Sequence, residues 1–84
     1  MAVQSRDEMA IDLRPVDLAV LRELSEDRAT QGYLIDETPH TRSQIQRRLE
    51  VLRAADLIEK VHDGTALYGI TENGREVIEN DERD

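Results

Sequence analysis

Hydrophobic residues in the first part of the chain recur at the three- and four-residue spacing of an amphipathic helix. Four positions share this spacing: Val16, Val20, Leu21 and Leu24. Pro15 suits the first turn of a helix, because the N–H that it lacks would have no partner there. The pattern predicts a helix over residues 15–25.

A second, shorter helix follows a connector at residues 28–29. Thr30 is a suitable N-cap, because its hydroxyl can accept a hydrogen bond from a free N–H of the first turn. Leu34 and Ile35 are the apolar residues that this segment can bury. We therefore expect a helix from Thr30 to about residue 38, ahead of a proline that marks its end.

The longest helix signal begins at Thr41, another N-cap candidate, and favourable helix formers continue through residue 55. At about 100° per residue, Ile45, Leu49, Leu52 and Asp56 fall along one line of this helix. The opposite face and its flanks carry polar side chains over the first two turns: Arg42, Ser43, Gln44, Gln46, Arg47 and Arg48. Glu50 follows on the same face. The helix thus combines an aliphatic stripe with a dense polar face.

Two strand-like runs follow, over residues 57–62 and 65–70. Asp63 and Gly64 separate them, and this dipeptide favours a two-residue type I′ hairpin turn. Such a turn predicts the pairing of the strands, residue by residue. The expected partners are Val61 with Ala66, Glu59 with Tyr68, and Leu57 with Ile70.

A last helix is expected after Thr71, whose side chain can cap it. Val77 and Ile78 are its apolar residues. We expect the acidic segment at residues 81–84 to be a frayed tail. The domain then spans residues 14–80, and residues 1–13 form an N-terminal arm.

Helix, helix, turn, helix, hairpin and helix in this order predict a mainly α fold with a small β-hairpin, a winged helix-turn-helix. Two stretches are diagnostic: TRSQIQRRLEVLRAADLIEKV, a recognition helix that leads into the wing, and LYGITENGRE, a return strand that leads into the last helix. With these stretches the chain resembles the phage-repressor-like winged-helix regulators of halophilic archaea. It is similar, more distantly, to the MarR and ArsR classes.

The resemblance implies a double-stranded DNA-binding protein whose third helix enters the major groove. Arg42 and Arg47 can bind guanine O6 and N7, and Gln44 and Gln46 can bind adenine N6 and N7. Other side chains of the same region can reach bases or phosphates. Thr41 and Ser43 suit either target, and Arg48, on the flank, suits phosphate. A solvated charged helix face is the plain alternative for this cluster.

Four residues outside the third helix are further candidates for contacts with the DNA backbone. Thr30 and Gln31 begin the second helix, where side chains and backbone N–H groups can donate to phosphate, although Thr30 can equally be an N-cap and no more. Lys60 and His62, in the wing, can reach the backbone or the minor groove. Asp63 at the tip of the wing opposes such a contact.

The charge of the chain changes sign along its length. Residues 38–62 carry four Arg and one Lys against three carboxylates, whereas residues 1–37 and 63–84 each have a net charge of −5; the formal total is −8. One basic segment therefore lies between two acidic ones. An acidic balance with a single lysine is typical of proteins from extreme halophiles, in which solvated carboxylates maintain solubility. An ordinary acidic protein is the alternative.

The composition argues against most other functions. The chain has no cysteine, and His40 and His62 lack a nearby third ligand, so we expect no metal site and no cofactor. It has no glycine-rich phosphate loop and no set of acid, base and nucleophile, so we do not expect an enzyme. Without an apolar span or signal peptide, a cytoplasmic location is the plain expectation, with no membrane partner and no evident small-molecule ligand.

We therefore expect a sequence-specific transcriptional regulator, a repressor, that binds a two-fold symmetric site as a homodimer. Apolar residues at both ends of the chain are available for that interface, or instead only cover the core: Met9, Ile11, Leu13, Val77 and Ile78. The alternative is an acidic winged-helix module that binds proteins or imitates the charge of DNA, which the two acidic segments favour.

Overall fold

The computed structural model describes residues 13–61 and 66–83. The described residues form four helices and three strands, in the order α1 (Pro15–Glu26), β1 (Ala29–Thr30), α2 (Gln31–Glu37), α3 (Arg42–Ala54), β2 (Ile58–Lys60), β3 (Leu67–Ile70) and α4 (Glu72–Arg83). The predicted fold class, mainly α with a small sheet, is confirmed.

Threonine side chains fix where three of the helices begin. The hydroxyl oxygen of Thr30 accepts from the backbone N–H of Tyr33 at 3.1 Å, at the start of α2. Thr41 does the same for α3, and Thr71 accepts from Gly74 N at 3.1 Å in the first turn of α4. All three predicted N-caps are confirmed. They could be predicted from the sequence because an N-cap hydrogen bond involves only four consecutive residues.

The sheet contains a strand that the sequence did not predict. β1 pairs antiparallel with β3, through Ala29 with Tyr68 and Thr30 with Leu67, and the strand order is β1-β3-β2. Residues 28–29 were expected to be a connector. A strand of two residues is too short to show an alternating pattern, and its partner lies almost 40 residues further along the chain.

The predicted register of β2 and β3 is wrong by one residue. Ile58 pairs with Ile70, Glu59 with Gly69 and Lys60 with Tyr68, and Val61 N donates to Leu67 O at 2.8 Å. A two-residue turn at Asp63 and Gly64 would require the other register. The turn itself lies outside the described residues. In the observed register Ile58 and Tyr68 are both buried.

The last helix is longer than the sequence suggested. α4 continues to Arg83, so residues 81–83 are helical rather than a frayed tail. Asp81, in its last turn, forms an ion pair with Arg22 of α1. This contact between two exposed side chains joins the end of α4 to the middle of α1.

One hydrophobic core holds these elements together. Its fully buried members come from α1, α2 and α3: Val20, Leu21, Leu24, Leu34, Ile45, Leu49 and Leu52. Leu57, Ile58 and Tyr68 of the sheet region and Ile78 of α4 complete it. Among the described helices, none is both long and apolar enough to cross a membrane. The core lies beneath α3, so the outer face of α3 is presented to solvent.

Candidate nucleic-acid interface

The outer face of α3 is an exposed polar surface over a buried aliphatic stripe. Ile45, Leu49 and Leu52 are 0 to 2% exposed and anchor the helix in the core. Five polar side chains of the first two turns are exposed to solvent, as their helical positions predicted: Arg42, Ser43, Gln44, Gln46 and Arg47. We call Arg42, Ser43, Gln46 and Arg47 the α3 face. Guanidinium, amide and hydroxyl groups at this spacing can hydrogen-bond to several base edges of a duplex at once.

The start of α3 uses two of the predicted contact residues to cap the helix. Gln44 N donates to Thr41 Oγ1 at 3.2 Å, and Thr41 N donates to Gln44 Oε1 at 2.9 Å. This reciprocal pair is a capping box. Reading adenine needs the oxygen and the nitrogen of a glutamine amide together. Gln44 is exposed, but its oxygen is engaged, so Gln46 is better placed for this role.

Arg48 has a protein partner rather than an open position on the flank. Its Nε donates to Asp17 Oδ1 at 2.7 Å and its Nη2 donates to Asp17 Oδ2 at 2.8 Å. The Asp17 side chain is fully buried and that of Arg48 is 12% exposed. The sequence assigned Arg48 to phosphate, and the structure gives its guanidinium to this carboxylate. Asp17 follows Val16 on the buried side of α1, but nothing in the local sequence revealed its partner 31 residues away.

One arginine and one histidine that the sequence did not assign to DNA lie beside the α3 face. Arg14, His40 and Arg47 line one open cleft of about 660 Å³ between the start of α1 and α3. Pro15, Val16 and Val51 supply the apolar part of its lining. Arg14 is exposed and His40 is partly exposed. The positive surface therefore extends from α3 towards the first residues of α1, which only the packing of the two helices could show.

The start of α2 has an acidic neighbourhood. Tyr33 is half exposed, the one large hydrophobic side chain at the surface of the described residues. The carboxylate of Glu37 raises the pKa of Tyr33 above its ordinary value, with smaller contributions from burial and from Glu23 and Glu26. Thr30 and Gln31 lie next to this group. The Thr30 hydroxyl oxygen caps the helix, and the backbone contacts of both residues stay a prediction.

The wing is only partly described. Lys60 is exposed at the end of β2, opposite Tyr68 of β3. His62, the other predicted wing contact, lies outside the described residues. No group of three or more metal-binding side chains occurs within residues 13–61 and 66–83.

Solved transcription factors share this architecture. The regulator BldR from Sulfolobus solfataricus is 26% identical, with a TM-score of 0.75 over 81% of this chain and 52% of its own. ZitR from Lactococcus lactis, solved in complex with DNA, is 18% identical, with a TM-score of 0.74 over 82% of this chain and 50% of its own.

The adhesin competence repressor AdcR from Streptococcus pyogenes is 16% identical, with a TM-score of 0.76 over 82% of this chain and 55% of its own. This chain spans about half the length of these regulators. No curated protein matches it.

A family model for MarR matches residues 11–66, two thirds of the chain. The match covers α1, the helix-turn-helix pair and the first strand of the wing. The MarR class was expected only as the more distant resemblance, and the closer resemblance to regulators of halophilic archaea stays a prediction. The family model spans the whole of α3, and the chain belongs to the MarR family.

Proposed function

We propose that this chain is a sequence-specific double-stranded DNA-binding regulator, a repressor, that inserts α3 into the major groove. The observation that carries the proposal is the exposed α3 face above the fully buried Ile45 and Leu52. MarR proteins are DNA-binding transcriptional regulators. The second helix of a helix-turn-helix places its N-terminal residues against base edges.

The α3 face supplies the residue types that discriminate between bases. Arg42 and Arg47 bind guanine in a bidentate manner, Gln46 binds adenine, and Ser43 contacts a base or a phosphate. Each good bidentate contact contributes about 1 to 3 kcal/mol of discrimination against the wrong base. Thr41 and Gln44 hold the helix start in place, and Gln44 Nε2 remains a possible donor.

The sequence-independent part of the affinity comes from cations around this face. Arg14 lies beside Arg47 in the cleft between α1 and α3, and Lys60 is exposed at the wing. Cations that neutralise phosphates release counterions from the duplex and thereby favour binding. Arg48 is omitted from this set because it is bound to Asp17.

The protein acts as a homodimer on a two-fold symmetric site. One recognition helix contacts few base pairs, and a second copy doubles the contacts and fixes the half-site spacing at about 34 to 36 Å. An open groove between α1 and α4, lined by Leu13, Leu18 and Val77, offers apolar surface for this association. Ile78 is 6% exposed and belongs to the core. Met9 and Ile11 lie outside the described residues.

The charge distribution supports adaptation to high salt, as in halophilic archaea. Two segments of net charge −5 flank the basic one, and the chain has a single lysine. At about 1 M salt the Debye length is only about 3 Å, so carboxylates away from the interface repel DNA weakly. Base contacts at hydrogen-bond distance then contribute most of the affinity.

Selection of duplexes from a random library in molar KCl tests the function. We expect the wild type to enrich a palindromic sequence that contains guanine. Arg42→Ala with Arg47→Ala should abolish the enrichment, whereas Arg53→Ala should preserve it. Arg53 is a matched control, because it is an exposed arginine at the far end of the same helix. Equal enrichment by both variants, or none by the wild type, contradicts the proposal.

The second candidate is a protein-binding module, and the surface of α4 favours it. Five carboxylate side chains of this helix are exposed: Glu72, Glu76, Glu79, Asp81 and Glu82. An acidic helix face can bind a basic protein or imitate the charge of DNA. The same variants separate the two functions, because a protein contact through α4 does not depend on Arg42 or Arg47.

A further inference from the structure

Asp17 and Arg48 form a buried joint between α1 and the recognition helix. The Asp17 carboxylate accepts three hydrogen bonds, two from the Arg48 guanidinium and one from Arg14 N at 2.8 Å. Both carboxylate oxygens are therefore used, and the side chain has no contact with solvent. One buried group thus connects the first turn of α1 with the middle of α3.

The position of Arg48 on α3 makes this joint sensitive to the rotation of the helix about its axis. Arg48 is next to Arg47 in sequence and one turn after Gln44. If the Arg48 side chain is held in one direction from the helix axis, the directions of Arg47 and Gln44 are therefore set as well. Side-chain atoms lie about 5 to 6 Å from a helix axis, so a rotation of about 20° displaces them by about 2 Å. Hydrogen bonds tolerate only about 0.5 Å in donor–acceptor distance. A modest rotation is enough to break base contacts.

The aliphatic stripe does not restrict this rotation as strictly. Contacts of Ile45, Leu49 and Leu52 with the core are non-directional, and hydrophobic cores of similar volume tolerate repacking. A bidentate guanidinium–carboxylate pair is planar and directional. Buried ion pairs contribute little to stability when compared with apolar side chains of similar size, so their effect on conformation can be separated from stability.

We propose that Asp17 and Arg48 are positioning residues for DNA recognition, which fix the rotation of α3 and so align the α3 face with base edges. The proposal rests on the DNA-binding function proposed above. In this mechanism the pair determines how well the α3 face discriminates between DNA sequences. Neither residue touches DNA in this mechanism, because Asp17 is fully buried and the Arg48 guanidinium is held against it.

Apolar replacement of the pair separates positioning from folding. Asp17→Leu with Arg48→Met removes both charges together, and Arg53→Met is the control, because it removes an exposed arginine from the far end of the same helix. Arg48→Lys keeps the charge but loses the two-pronged geometry. Urea denaturation establishes that each variant is folded, and stoichiometric titration gives the active fraction.

The readouts are discrimination and helix orientation. Fluorescence anisotropy compares the selected duplex with a scrambled duplex of equal composition, and backbone residual dipolar couplings report the orientation of α3 relative to α1. We expect the apolar pair to lower the discrimination ratio at least tenfold and to alter the α3 couplings. Arg48→Lys should lower the ratio in the same direction, and the control should leave both readouts unchanged.

Two results would overturn the proposal: α3 couplings that the apolar pair leaves unchanged, or a discrimination ratio within twofold of the wild type. Failure of the proposed function has a different signature, namely a wild type that binds no duplex of the library. In that case the dipolar couplings still decide whether the pair fixes α3, since they are measured without DNA.

Discussion

Gly74, in the first turn of α4, lies directly against the backbone carbonyl oxygen of Leu57. A Cβ at this position would overlap that oxygen and would lie 2.7 Å from Cγ1 of Ile70. The same carbonyl accepts from Thr71 N at 3.1 Å, so it cannot turn away without the loss of a hydrogen bond. The second glycine of the LYGITENGRE stretch thus permits α4 to approach the end of α3 and the sheet.

Gly74→Ala should destabilise the domain by about 3 kcal/mol, because the methyl group forces α4 away from a rigid backbone neighbour. Urea denaturation measures the change. Gly32→Ala is the control, because its Cβ would have no neighbour closer than 4.0 Å. Alanine at this helical position should raise the free energy of unfolding by about 0.5 kcal/mol. Equal stability of the two variants would show that α4 does not approach Leu57 closely.

Asp56 should be replaceable by glycine with a gain in stability. It is in the left-handed region at φ 62°, and Leu57 N and Asp56 N donate to Leu52 O and Arg53 O in a Schellman arrangement that ends α3. An L-residue other than glycine is strained there by about 1 kcal/mol. The bond from Asn73 Nδ2 to Asp56 Oδ2, 2.9 Å long, offsets part of this strain.

We therefore expect Asp56→Gly to stabilise the protein by about 0.5 kcal/mol, and by about 1 kcal/mol when Asn73→Ala has already removed the hydrogen bond. Thermal and urea denaturation of the four members of this cycle measure both values. A loss of stability on Asp56→Gly in both backgrounds would contradict the strain at residue 56.

Asp17→Ala should destabilise the domain by about 3 to 5 kcal/mol, because it leaves a nearly buried guanidinium without its carboxylate. This is a large share of the roughly 5 to 15 kcal/mol that stabilises a small domain. Asp81→Ala, which removes the carboxylate of an exposed ion pair, should change stability by less than about 1 kcal/mol. Similar losses for the two variants would mean that burial does not distinguish the two pairs.

Arg47→Ala should weaken binding to the selected duplex by about 5- to 150-fold, the equivalent of about 1 to 3 kcal/mol. The loss should vanish on duplexes in which the contacted guanine is replaced, since Arg47 no longer has its target there. Anisotropy titrations of both duplexes with wild type and variant give the coupling energy between Arg47 and the contacted guanine. A uniform loss on every duplex would instead assign Arg47 to phosphate.

The affinity for DNA should depend only weakly on KCl. Simple counterion release from about four phosphates would lower the affinity by four to five decades between about 0.1 and 2 M salt. We expect a much shallower slope, or an inverted one, because carboxylates near the interface, such as Glu50, take up cations on binding. Anisotropy titrations in a KCl series measure it, and the full negative slope would refute high-salt adaptation.

The sequence alone determined the helices, their caps and the face of α3 that points outward. Thr30, Thr41 and Thr71 each accept a hydrogen bond from a backbone N–H three residues later in the chain. The stripe of Ile45, Leu49 and Leu52 follows from the helical repeat. Both signals are local, so no knowledge of the fold is required to use them.

Only the tertiary structure decided what depends on contacts between distant segments. Four features depend on such contacts: strand β1, the register of β2 and β3, the Arg48–Asp17 pair, and the cleft with Arg14 and His40. A turn dipeptide is only a local preference, whereas the pairing of two strands also depends on which of their faces the rest of the fold buries. The Arg48 side chain is long enough to point towards solvent or into the protein, and a carboxylate buried on α1 determines which it does.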